Sequence, residues 1–325
     1  MSDNKLKFQI QIVIFTSLIF TLKLIAWLIT DSVAIFTDAM ESTVNIATSF
    51  FGLYAVWLAS QPRDRNHPYG HGKIEFLAAV IEGTLICFAA FIILYQAISH
   101  FQHIQELDSL DLGAYFLGIT SIMNIAGSIY WEKKADKVNS LTIQATSKHL
   151  RVDAITSLGI IFSIILMQWT KWFWLDPIIG ILIACYILYE GFLILRKSIG
   201  GIMDEANIKL LSSLINHINE NRDNDWIDLH NLRVIQYGSM LHIDAHITIP
   251  YYYTIQEGHE LVEKFDKTVN EFSFHQYEFF LHIDPCQPYS CKICSVKNCP
   301  VRQHPHEKTI NWNLENVLEN KKHTL

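Results

Sequence analysis

Charge is scarce in this chain. Asp, Glu, Lys and Arg together supply only 18% of its 325 residues, where a soluble domain carries about a quarter. Positive charge is scarcer still: 25 Lys and Arg face 32 Asp and Glu, a net charge of −7. That sign argues against a nucleic-acid partner, whose phosphates call for a basic surface. Cysteine is thin outside one short stretch. Of six, Cys87 and Cys185 lie in apolar runs and read as packing residues. No small-residue cleavage site follows the first apolar run, so no signal peptide is read there. No internal repeat stands out. A helical His-Glu-x-x-His motif is also missing, which argues against an intramembrane zinc hydrolase.

What is abundant is apolar sequence, 50% of the chain. It crowds into residues 8–196, and the remainder reads as soluble. A bilayer needs roughly 20 apolar residues per helix. Six segments satisfy that: 8–30, 33–59, 75–99, 111–131, 146–169 and 172–195. Lys5, Lys7, Arg63, Arg65, Lys73, Lys133, Lys134, Lys137, Arg196 and Lys197 flank them on one side, while the opposite loops hold Asp31, Glu106, Asp108 and a lone Lys171. The positive-inside rule then predicts a multi-pass protein of the plasma or inner membrane with both termini cytoplasmic. Beyond residue 200 the pattern is helix (204–222), two strands around Tyr-Gly-Ser (229–249), helix (255–272) and strand (277–285), a small α+β layer. The expected domains are 1–200 in the membrane, 201–286 as the α+β domain, and a Cys-containing tail, 287–325, that is partly disordered.

The second span is polar where lipid should be. In "TDAMESTVNIATS", Asp38, Glu41, Asn45 and Ser49 share one helical face. The fifth span answers with "KHLRVDAITS", in which His149 and Asp153 stand four apart. Ionisable groups inside a bilayer are costly and turn to the bundle interior. Two such pairs supply the four donors of a tetrahedral metal site. Oxygen and imidazole donors suit Zn²⁺, Mn²⁺ or Fe²⁺. Asp38, a turn off the pair, is placed as a supporting group or a dimer contact. Lys23 and Glu82 are further charges inside spans; structural pairing is the expectation for both, a proton path the alternative.

"SVAIFTDAMESTVNIATS", "HPYGHGKIE" and "HLRVDAITSLG" resemble the signature segments of the cation diffusion facilitator family, and the resemblance covers residues 8–286. It implies a six-helix transmembrane bundle with a C-terminal cytoplasmic α+β domain, ferredoxin-like or metallochaperone-like. It implies a homodimeric, proton-coupled exporter of divalent metals and no enzyme. The transport positions fall on Glu41, Asn45, His149 and Asp153. The family usually has His or Asp followed by Asp on the second span, so Glu41 and Asn45 depart from it. Asn45 replaces a carboxylate with a neutral carbonyl, leaving Glu41 and Asp153 as the site's negative charges. Zn²⁺ ranks first on family frequency, with Mn²⁺ or Fe²⁺ close behind on donor chemistry. Metal ligands must be deprotonated, so ion and protons compete, and His149 is the natural proton exchanger near neutral pH. The runner-up is a membrane-anchored metal sensor without transport.

In the loop "DRNHPYGHGK", Asp64, His67 and His71 are a second candidate set, and the resemblance places a metal site there. It also implies a charge contact between Lys73 and Asp204 at the hinge. In the soluble part, His242, Asp244 and His246 alternate on one strand face, as do His282 and Asp284. Ten of the fifteen histidines lie past residue 200. The resemblance assigns metal to His230, His246, His259, His282 and Asp284, with a sensing role at a dimer interface. Finally, Cys286, Cys291, Cys294 and Cys299 are spaced C-x4-C-x2-C-x4-C. In a reducing compartment that reads as a structural Zn²⁺ knot, with an iron–sulfur site as the alternative.

Overall fold

The computed structural model describes residues 2–30, 33–100, 112–170, 172, 174–237, 240–272 and 276–325. The loop charges Asp31, Glu106, Asp108 and Lys171, and Gly238 and Ser239 of the strand turn, lie outside them. The chain divides into two compact units, Met1–Met203 and Asp204–Leu325.

The first unit is six long helices: α1 (Ser2–Thr30), α2 (Val33–Ala59), α3 (Ile74–His100), α4 (Leu112–Val138), α5 (Leu141–Thr170) and α6 (Leu175–Ile202). They cover the six expected spans and overrun most of them. Among the described residues, three helices hold stretches long and apolar enough to cross a membrane: Asn4–Leu28, Ile74–Ser99 and Pro177–Ile202. Leu28, Phe88, Tyr95, Ile122 and Leu182 point outward, while Gln9, Lys23, Asn45, Glu75, Glu82, Asn124 and Asp153 are buried. Apolar outside and polar inside reverses the arrangement of a soluble protein and suits a hydrocarbon surround.

Packing centres on α5, which touches each of the other five helices. The pairs α3–α6, α4–α5 and α1–α2 pack most extensively. α6 reaches α3 closely because Gly201 has no side chain; a Cβ there would lie 1.9 Å from the Phe76 ring. Near the base of the bundle Lys5 Nζ lies 2.7 Å from Glu75 Oε1, and both are buried. Asn139 O also accepts from Lys5, and Ser140 Oγ donates to Glu75. Lys5 is therefore part of α1 and of the bundle's interior, rather than a loop charge ahead of it.

The second unit follows the expected order: α7 (Ile208–Glu220), β1 (Asp228–Tyr237), β2 (Met240–Ile249), α8 (Ile255–Phe272) and β3 (Gln276–Pro285). Local chemistry sets the helix starts. Asn207 caps α7 by accepting from the Leu210 N–H. Thr254 and Glu257 cap α8 reciprocally, the Thr254 N–H reaching Glu257 Oε2 at 2.7 Å. β1 pairs antiparallel with β2, and β2 pairs parallel with β3 through the α8 crossover. Leu241, Ile243, Ala245 and Ile247 turn inward to meet Leu211, Leu214, Ile215, Phe265 and Val269 from α7 and α8. The even-numbered residues of β2 consequently lie on the opposite face.

The tail corrects an expectation. Residues 287–325, read as partly disordered, contribute to this core. Trp312 and Val317 are fully buried in it, and Asn313 caps the short helix α9 (Leu314–Val317). The Arg222 guanidinium stacks 3.7 Å over the Trp312 ring, and Asn219 bonds both the N–H and the carbonyl of Trp312. A polar sequence with one well-placed tryptophan is thus ordered by partners far away in the chain. Trp312→Ala is expected to cost about 3–5 kcal/mol, read as a lowered urea midpoint of the α/β circular-dichroism signal. An unchanged midpoint would mean that the tail does not support this unit.

Candidate functional site

Three polar centres are built by these elements, one in the helical unit, one in its loop and one on the sheet.

In the helical unit the α2 and α5 stripes meet. Asn45 Nδ2 donates to Asp153 Oδ2 at 2.5 Å, and both residues are buried. His149 Nε2 lies 3.6 Å from Asp153 Oδ1. Asp38 and Glu41 stand on the α2 backbone, but their side chains lie outside those described. A small cavity beside Asn45 and Asp153 is lined by Thr16, Ser42 and Asn124. Lys23, buried, donates to Ser42 Oγ at 2.9 Å, so it contacts the wall of this cavity. Asn45 Oδ1 is buried and has no hydrogen-bond partner among the described residues.

Glu82 of α3 completes the centre. Its Oε1 lies 3.4 Å from His149 Nδ1, and its Oε2 accepts from Thr146 Oγ1 at 2.9 Å. Both of its oxygens are thus engaged by α5. Nδ1 of His149 thus faces Glu82, and Nε2 faces Asp153. A carboxylate behind a ligating imidazole fixes the tautomer and raises its basicity. Sequence reasoning expected structural pairing for Glu82 but did not identify Thr146 and His149 as its neighbours. The available signal was spacing: Glu75 and Glu82 stand seven apart on α3, facing Thr142, Thr146, His149 and Asp153 at helical intervals on α5. Thr142 bonds the Glu75 backbone just as Thr146 bonds the Glu82 side chain.

In the loop, Asp64 Oδ1 accepts from the backbone N–H groups of Asn66 and His67. The His67 N–H bond is the main force holding its carboxyl below the usual range. Gly70, at φ +87, turns the chain back so that its N–H bonds the His67 carbonyl. His71 Nε2 then lies 3.1 Å from His67 Nδ1 and 3.3 Å from Asp64 Oδ2. The three side chains offer ligand atoms within 4.8 Å of one another.

On the sheet, His230, His246 and Asp284 form the second such group among the described residues. Asp284 Oδ2 is 3.3 Å from His246 Nδ1 and 3.4 Å from His230 Nε2. The rows come into line through the pairings His230↔His246 and His246↔His282. A bulge follows His230, with Asn231 at φ +52; bulges commonly re-aim a side chain. His282 stacks on His246 with centroids 4.6 Å apart. His259 does not join: it is exposed on α8 beside Glu263. His242 and Asp244 are 3.1 Å apart, with Glu278 also near, one step along the same face. Behind the cluster, Asp228 contacts His230 and His323. Burial would raise its carboxyl, but those hydrogen bonds hold it well below the carboxylate range. Lys322 Nζ lies 3.2 Å from Asp284 Oδ1, a built-in cation at that carboxylate.

Lys73 and Asp204 belong to different units, each described by itself. The four clustered cysteines line a single cavity.

Residues 10–203 match the cation efflux transmembrane domain model, and residues 211–286 match the model of the cation efflux protein cytoplasmic domain. An uncharacterised transporter of Synechocystis sp. is 34% identical over 251 residues, spanning 77% of this chain and 81% of that protein. The cation-efflux pump FieF of Shewanella oneidensis is 26% identical over 274 residues, 82% of this chain and 89% of the pump. FieF of Yersinia pestis is 25% identical over 275 residues, 83% and 89% of the two chains. The chain belongs to the cation diffusion facilitator family of cation-efflux transporters, and is not an enzyme.

Proposed function

We propose that this chain exports a divalent transition-metal cation from the cytoplasm, exchanging it for protons by alternating access. Zn²⁺ is the first candidate cargo, with Mn²⁺ and Fe²⁺ next. The observation that carries this reading is the buried line of Asn45, Asp153, His149 and Glu82, with the unpartnered Asn45 carbonyl beside it.

Asp153, the His149 Nε2 lone pair and Asn45 Oδ1 are three donors for the cargo, and Glu41 is the fourth in this proposal. The hydrogen bond from Asn45 to Asp153 occupies the carboxylate before the ion arrives. Accepting the ion means giving up that bond, and the freed amide turns its carbonyl inward. His149 and the carboxylates release protons when they ligate and regain them when the ion leaves. Proton uptake from the far side then expels the ion, and the proton gradient drives the return. Glu82 keeps His149 in the tautomer that binds.

The loop set Asp64, His67 and His71 is proposed as a second metal site, on the cytoplasmic side. His230, His246, His282 and Asp284 are proposed as the sensing site of the cytoplasmic domain. An entering ion would have to displace Lys322 from Asp284. The outer sheet face leaves Phe280 67% exposed beside His282, which supports pairing with a second copy. His259 enters the site only through such a homodimer. Lys73 with Asp204 is the proposed charge contact linking the units, with both termini cytoplasmic.

Vesicle reconstitution under a pH gradient tests the reading, following Zn²⁺, Mn²⁺ and Fe²⁺ uptake. Asp153→Ala is expected to abolish flux. Binding without flux in the natural chain would instead favour a membrane-anchored sensor. Asn45→Asp should shift preference toward Zn²⁺, and an unchanged order of metals would refute the argument from donor charge. Glu82→Ala is expected to weaken cargo affinity by about 10–100-fold, with Glu82→Gln milder because an amide oxygen still accepts from Nδ1. Equal affinity in all three proteins would remove Glu82 from the site.

A further inference from the structure

We propose that Cys286, Cys291, Cys294 and Cys299 bind one Zn²⁺ as thiolates, and that this ion fastens the C-terminal extension to the sheet. Neither the transport site nor the matched family domains call for these residues. The cytoplasmic-domain match ends at residue 286.

The four thiols line one cavity with Ile227, Tyr251 and Arg302. Each comes from a different point of a folded loop. Cys286 leaves the end of β3, and its N–H bonds the Ile249 carbonyl of β2 at 2.9 Å. Cys291 lies in the single 3₁₀ turn Pro288–Lys292, and Cys294 is one turn further, its N–H directed to the Cys291 carbonyl. Cys299 closes the loop. Cys294 is buried, and Cys286 and Cys299 pack with it against Ile227 and Ile293.

Arg302 is the organiser. Its guanidinium donates to the carbonyls of Cys291 at 3.0 Å, Cys294 at 3.2 Å and Val296 at 2.5 Å. It also lies 3.9 Å from Cys294 Sγ. Three carbonyls wrapped on one cation hold the loop shut on a centre of sulfur. The same cation offsets part of the charge of a four-thiolate site, which carries a net −2 with Zn²⁺ bound.

Ligation is a proton exchange with no redox step. Four S–H bonds break, four Zn–S bonds form, and four protons pass to solvent. All six cysteines are free in this structure. The groups of three or more donors already within 4.8 Å are the loop and sheet sets. Zn–S bonds of about 2.3 Å therefore require the sulfurs to draw closer than they stand here. The ion would brace the segment that carries Trp312 into the core and Lys322 and His323 to Asp284 and Asp228.

The test uses full-length protein in detergent, purified without chelator. We expect about one tightly held zinc per chain that Cys291→Ser/Cys294→Ser removes and His246→Ala/Asp284→Ala retains. Replacement by Co²⁺ should give the near-ultraviolet thiolate charge-transfer band, absent only in the cysteine variant. If that variant fails to fold, alkylation of the natural chain decides: the four thiols of 286–299, mapped by mass spectrometry, should be protected until chelator is added. Four freely alkylated thiols in the zinc-loaded protein would overturn the proposal. So would a Co²⁺ spectrum without the thiolate band, a disulfide within 286–299, or visible colour with acid-labile sulfide, the signature of an iron–sulfur cluster.

Discussion

The helical unit depends on the ion-pair contacts of α5. Within one short stretch, Lys148, His149 and Arg151 each find a carboxylate on a different helix: Glu190 on α6, Glu82 on α3 and Glu132 on α4. A single charge at the centre of a bilayer helix costs about 2.5–3.5 kcal/mol on insertion scales. A sequence as charged as "KHLRVD" can be held in a membrane only if its neighbours supply those partners. That requirement explains why α5 touches all five other helices while α3 and α6 face outward with long apolar surfaces. It also means that the polar centre is held from three sides. Asp153 is fixed by Asn45 and His149, His149 by Glu82, and Glu82 by Thr146.

The same logic operates with other materials on the sheet. β-pairing puts His230, His246 and His282 in one row across three strands, and the bulge at Asn231 follows the first of them. The Asn231 N–H, displaced from the ladder, bonds the Glu319 carbonyl of the tail. The irregularity beside the cluster is therefore also the anchor that brings Lys322 and His323 to it. Since the core of this unit lies on the opposite face of β2, the polar row does not interrupt it.

The legibility of this architecture in the sequence follows its physics. Hydropathy is a one-dimensional property, so the six helices and the order of the α+β elements were readable, as were the His149/Asp153 and Asn45 faces. Partnerships between distant elements were not. Lys5 counts as a loop charge until Glu75 is seen beside it. Glu82 looks solitary until α3 and α5 are laid together, because the two stripes have no local relation. The tail reads as polar and loose, since one tryptophan in a polar stretch has no visible destination. His259 shows the reverse case: helical sequence supplies the residue, but the fold of a single chain puts it on α8, outside the cluster.

Asn45 and Glu82 are best understood as a pair. Against the carboxylate that the family resemblance leads one to expect, Asn45 carries one negative charge fewer, and its amide hydrogen-bonds Asp153. Glu82 returns a carboxylate to the same neighbourhood, but behind His149 instead of at the cavity. A carboxylate that ligates directly meets every cation with full charge, whereas one acting through imidazole strengthens a nitrogen donor. Mn²⁺ and Fe²⁺ gain less from a stronger nitrogen than Zn²⁺ does, and lose less from a neutral oxygen. In the proposed transport reading, Asn45 and Glu82 therefore pull selectivity in opposite directions.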